Sequence, residues 1–196
     1  MSELTFFEKG HIYMMDGQRL PSVSDLCRFI SREVYKDAPP WRMEAAAAKG
    51  TAVHKATEAL DAHGTAEIDG DYRGYLEAYA AFLRDHEVHW ELTEHPDYHP
   101  DLMYAGTIDR YGEVDGRRLL VDFKTTAATY IPLWTASLNL YRMMLEARGR
   151  VVDGLGIVHL KKDGKYKLIM PEIGDELPTA LLLLHNKTKK NRRTKR

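Results

Sequence analysis

Asp109, Asp122 and Lys124 are the residues whose types and spacing point most directly to chemistry. Between Ile108 and Phe123 the pair Asp115-Gly116 has the composition of a two-residue type I′ turn, which would pair Val114 with Arg117. In that register Asp109 falls opposite Asp122, on one face of the ladder. Opposed side chains on antiparallel strands have Cβ atoms about 4.5–5.5 Å apart, so two carboxylates there repel unless a cation intervenes. A divalent metal ion is the natural candidate. The strand period of two puts Lys124 on the face of Asp122, its ammonium next to whatever the carboxylates hold. An ordinary ion pair at a strand end is the alternative for Asp122 and Lys124. Asp163-Gly164-Lys165 repeats the Asp-x-Lys pattern, but in a surface turn with no second acid opposite, whereas Asp122-Phe123-Lys124 ends the apolar strand Leu119-Leu120-Val121.

His54 and Glu58 add a third element. Four residues apart in a helical stretch, they share a helix face. Imidazole is a borderline metal ligand, and a carboxylate one turn away is suited either to bind a metal or to orient the histidine. Of the other eight histidines, His63, His86, His89, His95 and His99 read as packed or surface residues.

These groups need a scaffold of alternating elements. Residues 5–8 and 11–15 read as short paired strands, and Ser22 and Ser24 offer helix N-caps. Residues 41–48 follow the Pro39-Pro40 breaker as a helix, and after Gly50 residues 51–62 form another, closed by His63-Gly64. A further helix is expected over residues 71–85, then strands over 88–94, 104–111 and 117–124. Residues 133–147 are helical, and residues 154–160 and 166–170 form a hairpin about Asp163-Gly164. Pro178 suits the start of a last helix.

Composition bounds the classes. At 196 residues, 44% hydrophobic and 29% charged, the chain is expected to form one soluble domain over residues 1–186, with its core at about 50–160. No apolar run approaches the roughly 18 residues a membrane span needs. The lone Cys27 excludes an intramolecular disulfide, an all-cysteine zinc site and a four-cysteine iron–sulfur cluster; with no secretory pattern in MSELTFFEKG, a reducing cytoplasm is the expected setting. The net charge of −1 is unevenly spread: residues 187–196 hold seven bases (Lys187, Lys189, Lys190, Arg192, Arg193, Lys195 and Arg196) and no acid. The first 186 residues therefore carry 21 bases against 29 acids, a net −8. The basic stretch is expected to be a disordered tail, either solvated or tethered to nucleic-acid phosphates.

Together these residues resemble the PD-(D/E)xK nuclease superfamily, in its RecB-like branch with the lambda-type and mitochondrial genome-maintenance exonucleases. Gly50-x-x-x-His54 is similar to that branch's first motif, Ala105-Gly106-Thr107-Ile108-Asp109 to its second, and Val121-Asp122-Phe123-Lys124-Thr125 to its third. The order of elements, helix, three strands, helix, strand, is the family's αβββαβ core. The resemblance implies an α/β (α+β) restriction-endonuclease-like fold: a mixed central sheet flanked by helices, here with an N-terminal hairpin and a helical insertion. One motif departs: where the family often carries Gln-x-x-x-Tyr, this chain has Ser137 and Tyr141, with Asn139 on a different helical face.

The resemblance implies hydrolysis of DNA phosphodiester bonds with Mg2+ or Mn2+, held by Asp109, Asp122, His54 and, as the family supplies it, the Phe123 carbonyl. Lys124 would orient or deprotonate the attacking water, or stabilise charge on the phosphate. Glu94, Thr125, Ser137, Tyr141 and Glu58 are the supporting candidates, and Trp134 and Tyr141 are suited either to core packing or to base stacking. The end-processing relatives imply an exonuclease of recombination, repair or phage DNA processing, in a bacterium or phage-infected cell. Its partners would be DNA and a single-strand-annealing, recombinase or helicase protein. A structure- or sequence-specific endonuclease, or a non-catalytic or partner-dependent binding module, are the alternatives. Selection of ends would need a ring, a channel or an arch, for which residues 65–88 or the N-terminal region are available. No Gly-x-x-x-x-Gly-Lys nucleotide loop is present.

Overall fold

The structure, a computed structural model, describes residues 4–193, with side chains to residue 188. An N-terminal meander of β1 (Leu4–Phe7), β2 (Ile12–Met15) and β3 (Gln18–Leu20) leads to α1 (Val23–Leu26) and α2 (Arg28–Val34). Then follow α3 (Pro40–His63), a 3-10 turn (Gly70–Tyr72), α4 (Arg73–Asp85), and strands β4 (Val88–Tyr98), β5 (Ala105–Val114) and β6 (Arg117–Lys124). After α5 (Ile131–Glu146), β7 (Gly154–Leu160) and β8 (Tyr166–Ile169) complete a five-stranded sheet of order β4-β5-β6-β7-β8, and α6 (Glu176–Arg193) ends the described chain. Only β6 and β7 pair in parallel, because α5 crosses between them; the other neighbours are antiparallel. The sheet is therefore mixed and flanked by helices on both faces.

Each face has its own core. Leu120, Tyr104, Tyr111, Leu155 and Ile157 pack against α5, α1 and α6. Leu119, Val121, Phe123, Val158 and Leu160 pack against α3 and α4 through Val53, Tyr79 and Phe82. Strand alternation thus puts Asp122 and Lys124 on the α5 face, with Leu120. The N-terminal meander is an extra layer, in which Tyr13, Met15 and Leu20 cover Ala105.

The local rules account for most boundaries. Ser22 closes a capping box with Asp25, and Gly64 ends α3 in the left-handed region at φ 71°. Asp115 and Gly116 sit at φ 51° and 75°, as a type I′ turn requires, and pair Val114 with Arg117. Four expectations need correction. Gly50 does not divide the helix: α3 runs unbroken for 24 residues, because the run Ala45–Ala48 before it offsets the helix cost of one glycine. The N-terminal hairpin gains a third strand. Residues 65–88 form no arch, since α4 buries Tyr79 and Phe82 completely against the sheet. The backbone of residues 187–193 belongs to α6 rather than to a disordered tail; Lys and Arg are good helix formers, and positive charge suits a helix C-terminus. Side chains from Lys189 on, and all of Lys195 and Arg196, lie outside the described residues. None of the described helices is long and apolar enough to cross a membrane.

Two glycines test this packing in opposite directions. A Cβ at Gly50 would meet nothing within 4 Å, so Gly50→Ala should stabilise α3 by about 0.5–1 kcal/mol. A Cβ at Gly112 would lie 2.1 Å from the His89 carbonyl oxygen and 2.8 Å from Trp90 Cα, so Gly112→Ala should cost about 1–3 kcal/mol. Urea unfolding of both variants should give midpoints on opposite sides of the parent's.

Candidate functional site

The strand pairing is interrupted at Asp109. β4 pairs with β5 at Thr93–Arg110 and again at His95–Ile108, and β5 pairs with β6 from Val114–Arg117 only as far as Arg110–Val121. Asp109 is thus passed over on both sides. Its carboxylate instead accepts the Phe123 amide at 3.1 Å, taking the place of a ladder bond. Opposite it, Glu94 adopts φ 44°, a left-handed conformation that a non-glycine residue holds only when its surroundings impose it. The irregularity turns both side chains toward α3.

There His54 meets them. Its Nδ1 lies 3.0 Å from Glu94 Oε1 and 3.6 Å from Asp109 Oδ2, and its Nε2 lies 3.2 Å from the Phe123 carbonyl oxygen. Ligand atoms of His54, Glu94 and Asp109 all fall within 4.8 Å of one another. Asp122 stands beside them, 8% exposed, in ion-pair contact with Lys124. Beyond that ion pair the buried Oδ2 of Asp122 has no hydrogen-bond partner. All five groups open into one cleft of about 660 Å3, walled by the N-terminal meander and by Tyr141 of α5.

The charges explain the titration. Burial and the neighbouring Asp109 carboxylate push the Asp122 carboxyl well above the ordinary range, against the pull of Lys124. Burial alone would lower the Lys124 ammonium, but Asp122 and Asp109 raise it. Burial likewise disfavours charge on His54, yet Asp109 and Glu94 outweigh it and push the imidazole up to about 9. A protonated His54 therefore bridges two carboxylates and a carbonyl, a position where a metal cation would compete with the proton.

Beneath the site lies a cation that sequence patterning passed over. Arg110 is fully buried and ties together the elements that bear the site. Its Nε donates to Asp61 at 2.9 Å, Nη1 to Glu94 at 3.3 Å and to the Asp109 carbonyl at 2.7 Å, and Nη2 to the Thr57 hydroxyl at 3.2 Å. The guanidinium lies over the Phe123 ring at 5.2 Å. Tyr79 donates to Asp61 and accepts from the Trp90 indole, so α3, α4, β4, β5 and β6 meet in one polar network. Its sequence signal was weak: a single Arg in a strand reads as solvent-facing.

The structure does not gather every candidate. Glu58 is exposed at the cleft rim, and Glu94 takes the place beside His54 that helix spacing offered to Glu58. Ser137 turns its hydroxyl back to the Trp134 carbonyl of its own helix. Thr125 is buried, and its carbonyl accepts from Lys49 at 2.7 Å. Trp134 is buried in the core, edge-on to Tyr130 and His159. Tyr141 lines the cleft above Gly106, where a Cβ would come within 2.5 Å of its ring.

No protein-family model matches this chain, and no curated protein matches it in sequence. Among solved structures, the crystal structure of LHK-Exo in complex with dAMP is similar at a TM-score of 0.42, covering 90% of this chain and 92% of that chain at 15% identity.

Two measurements check the electrostatics. The His54 pKa, raised from 6.5 to about 9, contributes stability that is complete below pH 6.5 and lost as pH rises through 9. His159 and His99, whose pKa values are lowered by burial, act only toward acid, below the 7–9 window. In chelator the thermal midpoint should therefore fall between pH 7 and pH 9, and His54→Gln should flatten that fall. Arg110→Met should cost about 3–5 kcal/mol in denaturant unfolding, because it leaves Asp61 and Glu94 without their shared cation.

Proposed function

We propose that the chain is a divalent-metal-dependent DNA nuclease. The observation that carries this reading is the convergence of His54, Glu94, Asp109 and the Phe123 carbonyl on one point, with the buried Asp122–Lys124 pair beside it. The residues fit a hard cation: the donors are mostly oxygens, Asp122 Oδ2 has no hydrogen-bond partner, and a proton on His54 stands between acceptors that a metal would satisfy. Asp109, Asp122, His54 and the Phe123 carbonyl would hold Mg2+ or Mn2+, with Glu94 as a further ligand or as the group that orients His54. When bound, such an ion polarises a phosphate and lowers the pKa of an attacking water.

The chain's own groups supply the remainder. Asp109 and Asp122 set a negative site that a phosphodiester enters only with a cation. Lys124 is placed to orient the water or to neutralise charge on the phosphate oxygens. Arg110 holds Glu94 and the Asp109 backbone in position without reaching the cleft. The motif resemblance to end-processing exonucleases supports action at DNA ends, in recombination, repair or phage DNA processing.

The test is a low-salt cleavage assay on end-labelled linear single- and double-stranded DNA and on covalently closed circles, with Mg2+, Mn2+ or chelator. Loss of linear DNA alone, abolished by chelator, is the expected result; nicked circles would make the enzyme an endonuclease, and binding without cleavage would make the chain a binding module. Lys124→Ala should lower cleavage by about 10²–10³-fold or more. Asp122→Asn should lose cleavage yet be no less heat-stable than the parent in chelator, since it relieves the clash with Asp109. Parental turnover in either variant rejects the mechanism.

A further inference from the structure

The cleft continues beyond the candidate site. Arg19, Asp25 and Arg28 line both it and a second groove of about 640 Å3 between α1–α2 and α6. The floor of that groove is apolar, with Leu26 and Leu181 buried, and Arg19, Arg28 and Arg32 stand exposed around it. Phe29 projects among them at 69% exposure, a large apolar ring set between guanidinium groups. Among the described residues of the lining, Asp25 is the one acid, and it is engaged: it accepts the Ser22 amide at 3.1 Å and pairs with Arg28. On the far wall α6 runs on into the basic stretch that begins at Lys187.

This charge pattern opposes that of the molecule. The first 186 residues carry a net −8, whereas the groove presents Arg19 and Arg32 beside the Arg28–Asp25 pair, a net positive lining. A track for single-stranded nucleic acid combines a cationic groove with exposed rings on which bases stack. Continuity with the cleft puts the groove on the path of a strand whose phosphate lies near Asp109 and Asp122.

We propose that the α1–α2/α6 groove holds a single-stranded segment of the substrate, with Phe29 as a stacking platform and Arg19 and Arg32 facing its phosphates. This rests on the nuclease reading of the cleft and extends it from where a bond is cut to how the strand is held.

The test is fluorescence anisotropy of labelled dT16 with the full chain in chelator, followed by cleavage with Mn2+ of dT16 and of bis(p-nitrophenyl) phosphate, which is too small to reach the groove. Phe29 and Arg32 are exposed, so their replacement does not endanger folding. Phe29→Ala should weaken dT16 binding at least fivefold. Arg32→Ala should lower the slope of log affinity against log salt by about 0.7, the loss of one phosphate contact to a single strand. Arg118→Ala, at the far end of the β5–β6 hairpin, should bind as the parent does. Phe29→Ala and Arg32→Ala should cut the small diester at the parental rate and dT16 more slowly. Binding of dT16 by both variants within twofold of the parent overturns the groove proposal, and leaves the nuclease reading intact if the parent cuts. A parent that cuts neither substrate while Phe29→Ala loses binding sinks the nuclease reading and keeps the groove. A change in sedimentation with Phe29→Ala, without a change in binding, would make the groove an interface between copies and overturn the proposal.

Discussion

Four carboxyl groups, Asp61, Glu94, Asp109 and Asp122, are drawn to one end of the sheet, where Arg110, His54 and Lys124 balance them. Burying like charges together is unfavourable unless each finds a partner or a proton. The molecule meets this constraint in two layers. Underneath, the fully buried guanidinium of Arg110 satisfies Asp61 and half of Glu94, permanently, because arginine does not deprotonate in proteins. Above, facing the cleft, the balance depends on protons held by His54 and Asp122. The lower layer is structural and fixed. The upper one is exchangeable, because both groups can release their protons.

Much of the local irregularity follows from that arrangement. The β5 ladder gives up a pair at Asp109, and opposite it Glu94 is held at positive φ, where both carboxylates reach His54. The lost backbone bond is made good by Asp109 itself, which accepts the Phe123 amide. The strained residue is anchored from both sides, by His54 above and Arg110 below. α3 must pass where it does for Thr57 and Asp61 to grip Arg110 from within the same helix that presents His54. The helix and the two strands are thus fastened by the groups that form the site.

The parts of this arrangement that were legible in sequence are those governed by short-range rules. An Asp-Gly turn sets a hairpin register, so the meeting of Asp109, Asp122 and Lys124 was readable from a dipeptide and a count. Helix caps, the crossover helix and the β7–β8 hairpin were readable for the same reason. What escaped depends on tertiary packing. Glu94 and His54 are 40 residues apart, and only the bulge between Trp90 and Leu92 and the turn at Glu94 bring them together. Arg110 escaped because nothing in a strand's alternation marks an arginine as fully buried; its partners come from 16 and 49 residues away. Gly50 and residues 187–193 misled in the opposite sense, since a lone breaker and a charge run each describe a local preference that a long helix overrides.

The two ends of the cleft differ in electrical character, and the difference bears on what can occupy it. A phosphate arriving at Asp109 and Asp122 would be repelled by a bare acidic centre, so a chain that only bound nucleic acid would gain nothing from gathering these carboxylates. The arginines that could hold phosphates without a metal lie instead along the adjoining groove, while Lys124 stands beside the acids. Such a division suits a molecule in which affinity and chemistry are supplied separately. Holding a strand would require positive charge that is always present, whereas cutting it would require a site whose charge is reversed by a bound cation, and the Asp122 carboxyl, raised above its ordinary range, would accept that cation by releasing its proton. The acidic centre and the basic groove are therefore complementary parts of one surface.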